Sequence, residues 1–342
     1  MLDLLRSTTQ DLPKMDFRVA FQYQNYEVMG TMLREDRIDI QSGTSILRDV
    51  QLTDSGAARH VRMYQKSAVN VVQTLKQVSI PWRHAETKWA VERREMLINR
   101  APAAFVNMVT ARRVAAIHSL ANVLEDRGWQ APASSADETN PWGVPYFIVK
   151  AGSDATEGFL GLNPTSWGDC AGLDSTQAEN ARWANWVARG TGYYQAFDQP
   201  LLQTMRKAFL MIQFQAPPTL AEYEKAPFSG YSIYTNIDGA LGLYKLAVAQ
   251  NDNVGFDLFA NQGASYFYKV PVKRVAYLDG DGDDPIYMVN KNVFGVACLN
   301  GDYMYEHEPM NSQEQINVFA TFVDLTYNFY CDARWRNAVI SK

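Results

Sequence analysis

The apolar positions of this chain change period several times, and each change marks an element. From Ser45 to Leu52, Ile46, Val50 and Leu52 alternate against Leu47, Asp49 and Gln51, the period of a half-exposed strand. A polar turn at Asp54-Ser55-Gly56 leads to a return run. There Val69, Val71, Gln73 and Leu75 share one face, and Val72, Thr74, Lys76, Val78 and Ile80 the other. Pro81 has no amide to donate and stops the ladder. Together the runs predict a long two-stranded excursion between Gly43 and Trp82. It holds too few apolar residues to bury both faces, and such an arm is marginal alone in water. It needs a surface to lie on, and another copy of the chain is the expected one.

Helical spacing takes over after Asn99, an expected N-cap, with Pro102 in the first turn, where a missing amide costs little. Phe105, Val109, Ala116, Leu120 and Leu124 recur on one face, flanked by Val106, Val114 and Ile117. Arg112, Arg113, Glu125 and Asp126 are expected to face water. Arg127 and Gly128 close the helix, which at about 26 residues spans about 40 Å. A boundary follows at Asn140-Pro141-Trp142-Gly143, and the chain reads as loop-rich to about Gly192. Asp198 caps a second helix through Leu201, Met205, Phe209 and Ile212, ended by Pro217-Pro218. A third covers Ile237 to Ala249. Strands are then expected at Tyr266–Tyr277, Ile286–Val289 and Val293–Leu299. A last long one alternates through Val323, Leu325, Tyr327, Phe329 and Cys331. Residues 1–43 show no clear period and read as an arm ordered only when tied down.

Composition narrows the class. The 342 residues, 47% hydrophobic and 20% charged, suffice for two or three regions with a buried core. No apolar run reaches the length of a membrane span, and the first residues lack the pattern of a secretory signal. Cys170, Cys298 and Cys331 are odd in number and far apart, so neither a disulfide framework nor a metal motif is expected. Net charge is −5 but uneven. Between Thr44 and Lys88 seven basic residues (Arg48, Arg59, Arg62, Lys66, Lys76, Arg83, Lys88) face three acidic ones. Between Asp279 and Glu308 seven acidic residues, among them Asp279, Asp281, Asp283 and Asp284, face Lys291 alone. Opposite patches on one chain suit head-to-tail contact between copies, while a solvated surface explains each patch equally well.

The sequence holds no motif with the spacing of a chemical centre. Asp279-Gly280-Asp281-Gly282-Asp283-Asp284 is the one metal-like loop, but the sixth and twelfth EF-hand positions hold Asp284 and Asn290 instead of Gly and Glu, so a solvated turn is the better reading. His60, His84, His118 and His307 lack zinc or catalytic spacing, and Gly190-Thr191-Gly192 and Gly239-Ala240-Leu241-Gly242 lack that of a phosphate cradle. Trp167, Trp183, Trp186, Tyr193, Tyr194 and Phe197 suit a core or a subunit interface better than a ligand-stacking surface. No catalytic residue, metal or cofactor is expected.

The order of elements resembles the HK97-type major capsid proteins of tailed bacteriophages. The local likenesses are Gly43-Thr44-Ser45-Ile46, Pro141-Trp142-Gly143-Val144-Pro145 and the run from Asn328 to Val339. The resemblance implies an α+β capsid fold: an N-terminal arm (1–43), an extended β-hairpin loop (44–88), and a peripheral domain (89–145) with a spine helix at about 102–127. An axial domain (146–314) and the closing strands of the peripheral domain (315–342) complete it. It further implies self-assembly into hexamers and pentamers of an icosahedral shell in the virion, made in the cytoplasm of a bacterial host. The implied partners are the chain itself, a portal protein, non-specifically held double-stranded DNA and, where present, a decoration or cement protein. With only about 40 residues before the loop, any scaffold is expected to be a separate protein. Some relatives cross-link a Lys to an Asn, but no such pair is identified here. The charge pattern makes Arg48, Arg59, Arg62, Lys66, Lys76, Arg83, Asp279, Asp281, Asp283 and Asp284 the candidate intersubunit contacts. An encapsulin-type compartment shares the fold, and a soluble α/β enzyme with an aromatic, acidic pocket is the alternative of another class.

Overall fold

The structure is a computed structural model, and it describes residues 26–34, 37–53, 56–63, 65, 74–98, 102–213, 230–250, 266–268, 270–311 and 317–342. The strands are β1 (Asp39–Gln41), β2 (Ser45–Gln51), β3 (Leu75–Pro81), β4 (Arg83–Glu92), β5 (Thr156–Gly161), β6 (Asn185–Arg189) and β7 (Tyr231–Thr235). They continue with β8 (Tyr266–Phe267), β9 (Val270–Arg274), β10 (Ile286–Asn290), β11 (Phe294–Leu299), β12 (Tyr305–Glu306), β13 (Met310–Asn311), β14 (Val318–Cys331) and β15 (Ala338–Ser341). The helices are α1 (Arg93–Ile98), α2 (Pro102–Gly128), α3 (Val144–Phe147), α4 (Gln199–Ile212) and α5 (Ile237–Gln250).

A six-stranded sheet is built around β14. Along one edge β14 pairs antiparallel with all of β4, from Val318 opposite Glu92 to Tyr327 opposite Arg83. Its other edge carries β11, β12 and β13, and β1 adds parallel to β11. β4 alternates: Arg83, Trp89 and Val91 are buried, while His84, Glu86 and Lys88 are exposed. That alternation is half-hidden in the sequence because Arg83 and Thr87 stand at inward positions. Helix α2 packs on this inner face, where Trp89, Val91, Val109, Ala116 and Phe319 form one cluster. Arg112 donates to Ala90 O at 2.8 Å and Thr87 to Ala116 O at 3.1 Å.

The second sheet has seven strands in the order β5-β6-β15-β10-β7-β9-β8. Its two faces separate by period two. Trp186, Ala188, Ile233, Ile286, Met288, Ala338 and Ile340 pack in one cluster with Leu201, Met205, Phe209 and Ile212 of α4 and Leu243 of α5. Val187, Tyr234, Tyr287, Val289 and Val339 face the larger core shared with β14 and α2. Asp198 caps α4 by accepting from the Leu201 amide at 3.2 Å. All three cysteines are buried and free.

Several boundaries differ from the sequence reading. Residues 83–88, inside the stretch expected as extended loop, are the first residues of β4 and belong to the sheet of β14. β11, β12 and β13, inside the expected axial stretch, also join that sheet, while β15, inside the expected peripheral stretch, joins the seven-stranded one. The loop-rich stretch after Trp142 contains β5 and β6. Both are short, and their Gly, Asn and Trp residues hide the period. Helix α2 runs to Gly128 as the period and cap require; its expected N-cap Asn99 and the side chains of Phe105 and Val106 lie outside the described residues, as do residues 1–25 of the arm and Pro217-Pro218.

Candidate functional site

The excursion begins as a two-stranded sheet, β2 on β3, in antiparallel register from Ser45 opposite Pro81 to Gln51 opposite Leu75. One face is apolar and buried: Ile46, Val50, Val78 and Ile80 are at most 3% exposed, and all belong to the main core of the same chain. The other face carries Leu47 and Leu75 at about half exposure. The base therefore lies on its own subunit. This corrects the expectation that the whole excursion needs a second copy for support: four β-branched residues suffice to seat seven residue pairs.

Charged anchors hold the base. The Arg48 guanidinium lies 3.9 Å from the centre of the Tyr330 ring, pairs with Asp39 and approaches Asp332 at 3.7 Å. Burial pushes the Asp332 carboxyl up, and Arg48 opposes the shift. Lys76 pairs with Glu179 at 2.9 Å, and the Trp82 indole donates to Gly43 O at 2.9 Å. Arg83 is buried at the root, donating to Asn140 O at 3.0 Å and Asp137 O at 2.9 Å.

Beyond the base, residues 56–63 and 65 are all exposed, including Arg59 and Arg62. Val61 is 58% and Met63 84% exposed. Lys66 and the turn residues Asp54 and Ser55 lie outside the described residues. Between Gly56 and Lys66 the sequence holds three Arg or Lys and no carboxylate. An apolar and basic tip is thus presented away from the core by a base that is anchored to it.

The acidic candidates are placed differently. Asp279 pairs with Arg274 and accepts from the Ile237 amide at 2.8 Å, which caps α5. Asp281 pairs with Lys150; Asp283 takes Lys150 at 3.3 Å and Arg189 at 3.4 Å; Asp284 pairs with Lys342. Asp283 and Asp284 tie the loop before β10 to the ends of β6 and β15, while Asp281 ties it to Lys150 and Asp279 to β9 and α5. Each of the four therefore has a cation of its own subunit beside it. Among the described residues no group of three or more His, Cys, Asp or Glu could hold a metal ion. No helix is long and apolar enough to cross a membrane among the described residues.

Two anchors escaped the sequence reading. Glu125, expected to face water, is 0% exposed. Its carboxylate accepts from the amides of Glu27, Val28 and Met29 at 3.1, 2.7 and 3.3 Å and from the Trp129 indole at 2.9 Å. It thereby caps the helical turn Val28–Met32 that leads out of the arm. Burial pushes this carboxyl up, while the four donors pull it down. A strict helical period places Glu125 beside Leu124 at the margin of the buried face, and no sequence pattern reveals its distant partners. Arg334 is also fully buried. It donates to the carbonyls of Phe147, Trp183, Gly161 and Leu162 at 2.7, 2.6, 2.9 and 2.6 Å and to Ser175 Oγ at 3.1 Å. One side chain after β14 thus fastens the loops that follow α3 and β5 and precede β6.

No protein-family model matches this chain. No curated protein matches it either. Solved structures do. The capsid asymmetric unit of cyanophage A-1(L) is 16% identical and aligns over 96% of both chains with a TM-score of 0.64. The capsid of a native GTA particle is 11% identical over 96% of this chain and 94% of that one, TM-score 0.56. The capsid of the Myoviridae phage XM1 is 10% identical over 97% of both, TM-score 0.53. At such identities the likeness is one of fold, and it spans the whole chain. The chain therefore has the α+β HK97-type fold of phage capsid proteins.

Proposed function

We propose that this chain is the structural major capsid protein of a tailed bacteriophage, assembling into the hexamers and pentamers of an icosahedral head around double-stranded DNA. The observation that carries the reading is the excursion: a base seated on its own core and a tip, Met63 at 84% exposure, that its own subunit leaves uncovered. A fold found in capsids over the full chain supports it. Subunits repeated under symmetry need many modest contacts made by identical patches, and an apolar, basic tip is such a patch.

The intersubunit contact is accordingly assigned to the exposed Arg59 and Arg62 and, from its neighbouring place in the sequence, to Lys66. Arg48, Lys76 and Arg83 serve the base, and Asp279, Asp281, Asp283 and Asp284 serve their own loop. A portal protein, a separate scaffold, a decoration protein where present, and packaged DNA are the proposed partners.

Size-exclusion chromatography with light scattering on the purified chain tests this reading. Particles of many copies are expected, and a monodisperse monomer or dimer overturns it. The nucleic acid content of particles taken from phage-producing cells then separates a DNA-filled head from an encapsulin-type shell holding a protein cargo.

A further inference from the structure

Asn300-Gly301 is the sole Asn-Gly pair in the sequence. It sits at the tip of the turn joining β11 to β12, closed by the Asp302 amide donating to Leu299 O at 3.1 Å. Gly301 takes φ +89°, the left-handed value that a type II turn demands at its third residue, and a Cβ there would meet nothing within 4 Å. Both residues are exposed. Among the described residues the Asn300 side-chain amide and the Gly301 N–H make no hydrogen bond. Other asparagines are held: Asn328 by Trp142, Phe329 and Pro81, Asn185 by Val149 and Trp186, and Asn337 by Asn290 and Ala333. An unbranched, solvent-open neighbour leaves the approach of the Gly301 nitrogen to the Asn300 side-chain carbonyl free of steric hindrance.

We propose that Asn300 is a site of spontaneous, enzyme-free conversion to aspartate and isoaspartate in the folded protein. The Gly301 backbone nitrogen loses its proton and attacks Asn300 Cγ; the new C–N bond closes a five-membered succinimide as the Cγ–Nδ2 bond breaks, and ammonia leaves with the proton. Water then opens either carbonyl of the ring, giving an aspartyl or an isoaspartyl linkage. No oxidant or reductant takes part. The site matters to the fold because the Asn300 backbone N–H donates to Gln41 O at 2.9 Å, fastening the end of β1, the strand that leads into the excursion. Asp302, next but one, holds Thr326 of β14 through both its carbonyl and its carboxylate. An isoaspartyl linkage adds one methylene to the backbone of this turn and shifts those partners.

The test ages the folded full chain at neutral and mildly alkaline pH, with peptide mass mapping and enzymatic isoaspartate methylation as readouts. The expected result is a gain of about one dalton confined to the peptide holding Asn300, faster at higher pH and absent in Asn300→Gln. Amide exchange at Ile40 and Gln41 should also be faster in the aged chain. Asn300 left intact in the folded chain, while the same chain unfolded in urea converts it, overturns the proposal. So does conversion spread evenly over the other asparagines of the folded chain.

Discussion

Arg334 gives the sharpest test of what holds this subunit together. Replacing it by Met keeps an unbranched side chain of similar reach and removes every donor. The carbonyls of Phe147, Gly161 and Leu162 then lose the guanidinium, while Trp183 O keeps the Ser175 hydroxyl at 2.7 Å. The two buried carbonyls, Phe147 and Gly161, cost about 2–6 kcal/mol at roughly 1–3 kcal/mol each, and the half-buried Leu162 carbonyl adds less. Several kcal/mol return because a charge no longer has to be buried. The net expectation is a loss of about 1–4 kcal/mol, a large part of the total stability of a typical domain. Urea unfolding of the purified subunit reads it as a fall in midpoint at unchanged slope. Arg334→Lys should recover less than half of the loss, since one ammonium cannot serve acceptors spread around a planar fork. Arg94, whose side chain is 77% exposed, is the control: Arg94→Ala should stay within about 0.5 kcal/mol. An Arg334→Met subunit within about 1 kcal/mol of the parent would refute the argument.

Glu125 links the arm to pH. Its carboxyl lies above the ordinary value of 4.5, so the folded state holds the proton more tightly than the unfolded one. Its contribution is therefore fully present below that value and lost as pH rises through the raised one, by at most about 1.4 kcal/mol per pH unit. Amide exchange at Val28 and Met29 should quicken over that window, and Glu125→Ala should abolish the dependence while quickening exchange at all pH; a flat profile in the parent removes the coupling. Deleting Thr53–Lys66 spares the buried residues of β2 and β3, so the subunit should keep its unfolding free energy within about 1 kcal/mol and fail to form closed particles; normal particles from this variant would remove the assembly role of the tip. Shell contacts through Arg59, Arg62 and Lys66 should weaken between roughly 50 and 500 mM salt, where the screening length shortens about threefold. Particle stability that ignores salt over that range contradicts a charged contact.

Much of the fold was legible because its signals are local. The α2 period with Pro102 and Gly128, the Asp198 cap and the alternation of β2, β3 and β14 each depend on residues within one element. The elements missed are those whose partners lie far away in sequence. β4 hides behind Arg83, which only the distant carbonyls of Asp137 and Asn140 make welcome inside. β6 is wholly buried but for Arg189, so it lacks the alternation that marks a half-exposed strand. β15 lies beside β6 and β10, a pairing that no short-range pattern encodes. The candidate contacts divide on the same ground. Charge counts along the chain located the basic and acidic stretches, but could not show that Arg48 meets Asp39, Lys76 meets Glu179, and Asp281 and Asp283 meet Lys150 within one subunit. Pairing is a property of the fold, and no count of charges along the chain contains it.

Electron microscopy of the purified full-length chain in negative stain tests the central claim most directly. Closed shells of uniform diameter with hexameric and pentameric clustering are the expected result. A field of single subunits or small oligomers, with the tip of the excursion intact, would contradict it.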